Sequence, residues 1–214
     1  MQKILSPNML KTFTQCAKKY FFKYEKNISM PANNDIYTSG KNIHALASYY
    51  LNGENIDKME HSLNKKETEF WNYLKSLKYM SFEAINTEYV LSVKIGDKFF
   101  GGRIDAIVKK DNTYYILDYK TGSAPKNAKY DFQTMIYLLS VRAFFKTDNI
   151  SFIYLDLKNK SEVKIDLTAD LADEYKNKLY DISKELKKGN FKPSQKGCED
   201  CEYKVICYDK KLFD

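Results

Sequence analysis

Residues 101–120, GGRIDAIVKKDNTYYILDYK, contain the charged side chains of this sequence that are best suited to chemistry. Side chains in a β-strand alternate between its two faces, so a strand over residues 114–120 places Asp118 and Lys120 side by side. The opposite face carries Tyr115, Leu117 and Tyr119. The preceding strand presents Asp105 in the same manner. A carboxylate and an amine that project together from an apolar strand indicate a functional site.

Two tight turns would fold this region into a three-stranded meander. A turn at residues 111–112 would join a strand over residues 103–108 to the strand that follows it. Counting residues outward from this turn places Asp105 directly opposite Asp118.

A further strand over residues 84–95 precedes a turn at residues 96–97, which has glycine at its first central position. The same count places Glu88 opposite Asp105, so three carboxylates form one row with the lysine of the last strand beside them. A bulge at residues 101–102 would shift part of this pairing by one residue and turn side chains to the other face.

Three carboxylates in one row repel one another, and like charges across strands destabilise a sheet. A divalent cation would remove this conflict, because Mg²⁺ binds a few carboxylate oxygens together with water and phosphate. Lys120 beside the cation can orient or deprotonate a water molecule, which is chemistry suited to hydrolysis of a phosphodiester. The alternative from these residues alone is a surface face of the sheet with ordinary ion pairs.

The composition narrows the class of protein. A chain of 214 residues is long enough for one sizeable core and a small appendage, and its 18 Tyr and 13 Phe argue against disorder. The net charge of +7 suits nucleic acid as a partner, although a generally lysine-rich surface would give the same charge. No apolar run reaches transmembrane length and no signal-peptide core is present, so we expect a cytoplasmic protein without a membrane partner.

The periodicity of the remaining sequence predicts further helices and strands. They are a helix from Ser6-Pro7, a loop over residues 30–39, a helix from about Gly40, a charged surface helix within residues 54–78, a helix over residues 130–145, strands over residues 150–157 and 162–167, and a helix from Thr168 to Gly189.

Three polar residues on these helices are further candidates. Gln133 and Tyr137 are four residues apart and share a helix face, from which they could reach a phosphate or orient a catalytic group. The alternative is a solvated glutamine and a tyrosine at the helix boundary. His44 is one of two histidines, and the pattern alone favours an ordinary core or surface residue.

Four cysteines form the second chemical group of the sequence. Cys198, Cys201 and Cys207 lie close together, and Cys16 lies near the other end. In a cytoplasmic protein they are better interpreted as ligands than as disulfides, and four thiolates suit either tetrahedral zinc or an iron–sulfur cluster. Ligands drawn from both ends would tie the termini together and remove entropy from the unfolded chain. The alternative is four unconnected cysteines.

These residues together resemble the PD-(D/E)XK nuclease superfamily, in its RecB-like branch that carries an iron–sulfur cluster. The shared features are Cys16, His44, Asp105, the Asp118-Tyr119-Lys120 triplet, Gln133 with Tyr137, and the CxxCx₅C layout of Cys198, Cys201 and Cys207. The resemblance spans nearly the whole chain. In size the chain is similar to the CRISPR-associated adaptation nucleases and their phage homologues, and the AddB nuclease domain shares its cysteine layout.

Two positions depart from the common pattern of these relatives. Asp118 stands where many members have glutamate, which shortens the reach of the carboxylate but keeps within the family pattern. Ala17 follows Cys16 where proline is common, a change that we expect to be tolerated.

The resemblance implies a fold and a set of metal ligands. The fold would be the restriction-endonuclease-like α/β core, a mixed central sheet flanked by helices, with both termini joined at the cluster. Mg²⁺ or Mn²⁺ would be held by His44, Asp105, Asp118 and the main-chain carbonyl of Tyr119. Glu88 is a further candidate ligand, which comes mainly from the strand register.

The resemblance also implies the remaining roles. Lys120 would position the attacking water, and Gln133 and Tyr137 would support the site or contact DNA. A 4Fe-4S cluster would be bound by Cys16, Cys198, Cys201 and Cys207. We expect a single nuclease domain over residues 1–214, with its catalytic core in residues 40–167 and its cluster region in residues 1–30 and 190–214.

The predicted function is that of a metal-dependent DNA nuclease, an exonuclease on single strands or DNA ends that leaves a 3′-hydroxyl and a 5′-phosphate. The main alternative is an adaptor that binds a DNA end or motif within a CRISPR adaptation, recombination or repair complex and cuts only with its partner. A nuclease directed at RNA is a third hypothesis. Partners would be DNA and a CRISPR integrase or helicase and recombination proteins, and the chain could form an oligomer.

Overall fold

Six strands form one mixed sheet in the computed structural model, which describes residues 3–30, 38–194 and 197–208. The strands are β1 Ile4–Leu5, β2 Glu83–Ile95, β3 Lys98–Lys110, β4 Thr113–Lys120, β5 Ile150–Asp156 and β6 Ser161–Asp166. The helices are α1 Pro7–Gln15, α2 Ala17–Tyr20, α3 Thr38–Leu51, α4 Asp57–His61, α5 Lys65–Ser76, α6 Phe132–Phe145, α7 Ala169–Lys188 and α8 Lys204–Tyr208, and a π-helical turn spans Phe21–Glu25. The predicted α/β class is confirmed.

The sheet has the strand order β1-β3-β4-β5-β6, and β2 pairs with β3. β2, β3 and β4 are antiparallel neighbours, as the predicted meander requires. β4 and β5 are parallel because the chain crosses over through α6 between them. β1 is parallel to β3, whereas β5 and β6 are antiparallel.

Helices cover both faces of the sheet and create two apolar cores. α6 packs between the sheet, α1 and α7, which explains why it is apolar on nearly all sides and why residues 134–141 are buried. On the opposite face, α3 and α5 pack around Leu46 and Trp71. The meander that carries the candidate residues is therefore supported from both faces.

The strand register follows the predicted count over most of its length. Both tight turns are present, at residues 96–97 and 111–112. The pairing of β2 with β3 keeps one register through residues 101–102, so no bulge lies there. The shift occurs instead between Ala84 and Asn86, beyond the candidate residues.

The alternation of faces slips at Asp105, opposite Glu88. Ile104 and Ile107 both lie in the core beneath α6, although they are three positions apart and a regular strand would turn them to opposite faces. Ala106, two positions after Ile104, lies in the other core. Glu88 has a left-handed backbone, with a φ of 49°. The prediction of three carboxylates in a regularly paired row is therefore wrong in this detail, because both strands bend where the row was expected.

Two predicted helices are interrupted. The first breaks at Cys16, whose extended backbone ends α1 and begins α2. The segment 54–78 is not one surface helix but forms α4 and α5, and it buries Trp71 and Leu74 against the sheet. Phe70, Trp71 and Leu74 lie at helical spacing within this charged segment. This spacing could have predicted a helix with one buried face.

The remaining differences concern short or undescribed segments. The sequence analysis did not predict β1 or α8, which are too short to show a periodicity. The predicted loop falls largely on residues 31–37, which lie outside the described residues. No helix within the described ranges is long and apolar enough to cross a membrane.

Candidate active site

β3 and β4 separate near Asp105, and the candidate residues gather in the fork between them. The pairing of the two strands ends at Ala106 and Leu117. The next hydrogen bond comes from a side chain, because the Tyr119 N–H donates to Asp105 Oδ2 at 2.9 Å. Asp105 thus replaces a strand backbone as the acceptor, which fixes its carboxylate against β4.

α3 places His44 at this fork. His44 Nδ1 lies 3.3 Å from Asp105 Oδ1, and Nε2 lies 2.9 Å from the Tyr119 carbonyl oxygen. Carbonyl and carboxylate oxygens only accept hydrogen bonds, so a protonated ring would donate to both partners. Burial opposes this charge, but the hydrogen bond and the charge of Asp105 outweigh it and raise the pKa of His44. His44 therefore contacts two of the groups predicted to share a metal with it.

Asp118 and Lys120 occupy the face of β4 that turns toward α6, as the period of two predicts. Lys120 Nζ lies 2.7 Å from Asp118 Oδ2 and donates to Gln133 Oε1 at 3.1 Å. The Gln133 amide also donates to Asp118 Oδ1, which closes a triangle of three side chains. Asp131, the N-cap of α6, accepts from the Gln133 N–H at 2.9 Å and so fixes the start of that helix.

Asp118 carries an unfavourable charge in this position. Its side chain belongs to a residue that is only 3% exposed. Burial and the charge of Asp105 raise the pKa of Asp118 to about 6, while Lys120 and His44 oppose the increase. A carboxylate whose pKa is raised by burial and by a neighbouring carboxylate is in the electrostatic situation that a bound cation relieves.

Glu88 approaches the fork from β2. One ligand atom from each of His44, Glu88 and Asp105 lies within 4.8 Å of the others. Glu88 Oε2 forms an ion pair with Arg103 Nε at 2.9 Å, whereas Oε1 is buried and has no hydrogen-bond partner within the described part of the chain. A buried carboxylate oxygen without a donor is costly, so these three side chains could hold a cation.

A cleft of about 880 Å³ opens onto the fork. Its wall from α3 includes Lys41, His44 and Tyr49, and its floor includes Glu88 and Arg103. Lys120 and the residues that follow it form the opposite side. An extended ligand in this cleft would reach the carboxylates from the solvent side.

The part of the sequence that contains β2 to β4 and α6 also matches a known profile, whereas α3 lies before the matched residues. Residues 60–208 match the PD-(D/E)XK nuclease superfamily. The chain belongs to this superfamily. The resemblance inferred from the residue pattern is thereby confirmed, and the superfamily's divalent-metal chemistry is consistent with the carboxylates that meet at the fork.

One sequence relative and one solved structure are similar to this chain. The chain is 28% identical over 163 residues to the CRISPR-associated exonuclease Cas4 of Francisella tularensis subsp. novicida (strain U112), which covers 74% of this chain and 77% of that protein. Its fold is similar to that of a candidate exonuclease from Eubacterium rectale, with a TM-score of 0.59 and 14% identity over 95% of this chain and 87% of the other. At that identity the structural likeness shows the fold alone.

Tyr137 supports this PD-(D/E)XK site from below rather than from the cleft. It is 5% exposed, and its hydroxyl donates to the Arg103 carbonyl at 2.8 Å. A Cβ atom on Gly102 would lie 2.9 Å from the same hydroxyl, so only glycine leaves room for it. Of the two predicted roles for Tyr137, the structure favours support of the site over contact with DNA.

The four cysteines converge although they come from the two ends of the chain. All are free thiols, and all line one small cavity together with Phe22 and Tyr203. Cys16 Sγ accepts from the Lys19 N–H and the Ser194 N–H, both at 3.4 Å. Burial and the neighbouring thiols raise the pKa of Cys207. The donor set and the cavity fit a group with four thiolate ligands.

The spacing of these sulfur atoms bears on the kind of group. All four cysteines are among the described residues, and no three of their sulfur atoms lie within 4.8 Å of one another. Four sulfur atoms around one zinc ion would be about 3.8 Å apart, since Zn–S bonds are about 2.3 Å long. The free thiols are therefore spaced more widely than the ligands of one bound zinc ion.

Two cleft residues were missed by the sequence analysis. Arg103 lies two residues before Asp105, so the period of two could have placed it near the carboxylates. Tyr49 lies five residues after His44, and its exposure is a property of the folded chain that no local pattern indicated.

Proposed function

We propose that this protein is a Mg²⁺- or Mn²⁺-dependent DNA nuclease that removes nucleotides from single strands or DNA ends. The observation that carries the proposal is the fork, where a triangle of Lys120, the buried Asp118 and Gln133 adjoins a histidine–aspartate pair. Membership of a nuclease superfamily and similarity to a CRISPR-associated exonuclease support it.

The ligands of the cation would be His44, Asp105, Asp118 and the carbonyl of Tyr119, with Glu88 as a further ligand. When bound, the cation would supply positive charge to the reacting phosphate and its nucleophile. A histidine nitrogen binds a metal only when it is unprotonated, so cation binding at His44 would compete with protonation of its ring.

Lys120 would hold the attacking water and help to remove its proton. Its ammonium group is held by Asp118 and Gln133 rather than by solvent, so its position is fixed before substrate arrives. Gln133 in turn orients both of these charged groups. Tyr137 would act as a positioning residue through the backbone of β3.

We further propose that the four cysteines bind a 4Fe-4S cluster with a structural role. The convergence of the four thiols on one cavity and the resemblance of their layout to the iron–sulfur branch of the superfamily support this assignment. Cys16 also receives two backbone N–H donors, which would stabilise a thiolate ligand. An anaerobic preparation that is colourless and contains stoichiometric zinc would overturn the assignment and leave the nuclease proposal intact.

The nuclease proposal is tested with anaerobically purified protein and end-labelled single-stranded DNA in Mg²⁺ or Mn²⁺. We expect metal-dependent loss of the linear strand, and no detectable loss with Lys120→Ala, because the water then lacks its holding group. Lys58→Ala, at an exposed lysine of α4, is the matched control and should cut at the wild-type rate. Wild-type cutting by Lys120→Ala would disprove the role of Lys120.

Two further substrates define the specificity of the enzyme. A closed circular single strand should survive if an end is required. An RNA strand of the same sequence should survive if the enzyme is directed at DNA.

An adaptor that cuts only within a complex is the second candidate. The net charge of +7 and the similarity to a CRISPR-associated protein favour a role beside other DNA-binding proteins, such as an integrase or recombination factors. The expected result would be DNA binding without cleavage by the isolated chain, and cleavage after a partner is added. A cytoplasmic location, a single nuclease domain, self-assembly and a role in DNA repair remain predictions.

A further inference from the structure

Tyr49 presents a free aromatic ring to the cleft. The residue is 43% exposed and lines the cleft wall. Among the described residues, no aromatic ring stacks on it, no cation lies over it and its hydroxyl has no hydrogen-bond partner. Its neighbour Tyr50 is different, because it packs edge-on against Trp71 at 5.4 Å and lies beneath Lys75. The core of the protein therefore uses Tyr50 and leaves Tyr49 to solvent.

The position of Tyr49 on α3 relates it directly to the fork. Lys41, His44, Ala45, Ser48 and Tyr49 line the cleft, which is the spacing of one helix face. Tyr49 lies five residues beyond His44, about 7.5 Å along the helix axis. A strand whose phosphate reaches the fork would therefore bring a neighbouring nucleotide to this ring.

Two cationic side chains, those of Arg103 and Lys41, line the same cleft as the Tyr49 ring. The Arg103 side chain is 67% exposed, and its ion pair with Glu88 uses only Nε. The four other N–H donors of its guanidinium have no partner within the described part of the chain. Lys41 is exposed on the α3 wall of the cleft and forms no ion pair with a described residue. It lies eight residues before Tyr49, about 12 Å along the helix axis, so Lys41 and Arg103 could bind phosphates of the same strand at separate points of the cleft.

We propose that Tyr49 is the stacking platform for one unpaired base, with Arg103 and Lys41 binding phosphates of the same strand. This inference rests on the proposed nuclease function and defines how its substrate is held. A base within a duplex is already stacked on both faces, so this subsite takes a nucleotide from a single strand or a frayed end. Stacking tolerates all four bases because each has a π-face.

The test is a binding measurement in a Lys120→Ala background, which prevents cleavage. The probe is a fluorescein-labelled oligothymidylate short enough to occupy one cleft, followed by anisotropy with Mg²⁺ present. Tyr49→Ala should weaken binding about 10-fold or more, whereas Tyr49→Phe should bind like the parent because it keeps the ring. Tyr180→Ala is the matched control, since Tyr180 is also 43% exposed but lies on α7 outside the cleft.

A second probe separates stacking from a general change in the cleft. On the same sugar–phosphate chain without bases, Tyr49→Ala should bind as tightly as its parent, because no base is present to stack. An equal loss on both probes would overturn the stacking role, as would unchanged binding of oligothymidylate by Tyr49→Ala. If the parent variant binds no oligothymidylate, the stacking inference fails, whereas the nuclease proposal is decided separately by cleavage with the wild-type protein.

Discussion

The fork and the cysteine region both gather ligand atoms from distant parts of the chain, but they differ in what holds those atoms in place. At the fork, the ligand-bearing residues lie on β2, β3, β4 and α3, and Gln133 of α6 adds its hydrogen bonds. In the cysteine region, Cys16 lies at a break between helices, and the other three lie around the five-residue helix α8.

This difference indicates which site depends on its metal for structure. The fork is assembled by the sheet and by hydrogen bonds among its own side chains, so its geometry exists before a cation arrives. The cysteine region has little regular structure among the described residues, and the four thiols form no hydrogen bonds or disulfides with one another there. A group bound there would contribute its binding free energy to folding.

The largest expected effect comes from removing the charge of Asp118, which tests whether the fork keeps its structure without a metal. Asp118→Asn should lower the cleavage rate by about 10³-fold or more, because a metal ligand and the partner of Lys120 are both altered. The metal-free protein should melt at the same temperature or higher, since a buried charge is removed. Cleavage kinetics and calorimetry in EDTA measure the two effects, with Asp170→Asn on the surface of α7 as the control. A large drop in metal-free stability would show that Asp118 is structural.

The opposite result is expected in the cysteine region. Cys201→Ala should abolish binding of the cluster and lower the free energy of unfolding by about 5 kcal/mol, the value for closing a loop of nearly the whole chain. Visible absorption and chemical denaturation measure these losses, and Mn²⁺ affinity at the fork should remain unchanged in the folded fraction. Unchanged stability would contradict a structural role for the four thiols.

A smaller effect is the pH dependence of the stability of the metal-free protein, which arises from residues of the fork. The pKa of Asp118 in the fold is about 6 and its ordinary value is 3.8, so ionising it in the metal-free protein costs up to about 3 kcal/mol as the pH rises through this window. The pKa of His44 is also raised, so its stabilising charge is complete below its ordinary value of 6.5 and is lost as the pH rises through the higher value. Both residues therefore make the metal-free protein less stable at higher pH.

Melting temperatures in EDTA between about pH 5 and pH 8 measure this dependence. Asp118→Asn should flatten it, and Mn²⁺ should reverse it because the cation displaces protons from both residues. A pH profile that is identical in the wild type and in Asp118→Asn would exclude this contribution.

The sequence predicted the meander and the side chains that it carries, because two short turns fix a register and a period of two fixes the faces of β4. It did not predict how Asp105 reaches the backbone of β4 at Tyr119. That depends on the left-handed backbone of Glu88 and on the separation of β3 from β4, and neither follows from a regular strand pattern. The Asp105 side chain therefore takes the place of a strand backbone where β3 and β4 separate, and Asp105 is not one member of a regular row.

The cysteine region shows the same limit in another form. The spacing of Cys198, Cys201 and Cys207 identified a ligand group, and the resemblance linked Cys16 to it. The break at Cys16 could not be foreseen, because the apolar spacing of residues on both sides continues as if one helix were present. The exposure of Tyr49 also required the tertiary structure, since its spacing on α3 does not differ from that of a buried residue.

The peptide groups of Tyr119 have a consequence for spectroscopy. Its N–H is held by Asp105 and its carbonyl oxygen by His44, so the backbone of this single residue is bound on both sides by side chains that would ligate the cation. When His44 releases that carbonyl oxygen to a cation, the amide resonance and the exchange rate of Tyr119 must change with the occupancy of the fork. The main chain thus contains a natural reporter of metal loading, which NMR can follow without any label attached to the site.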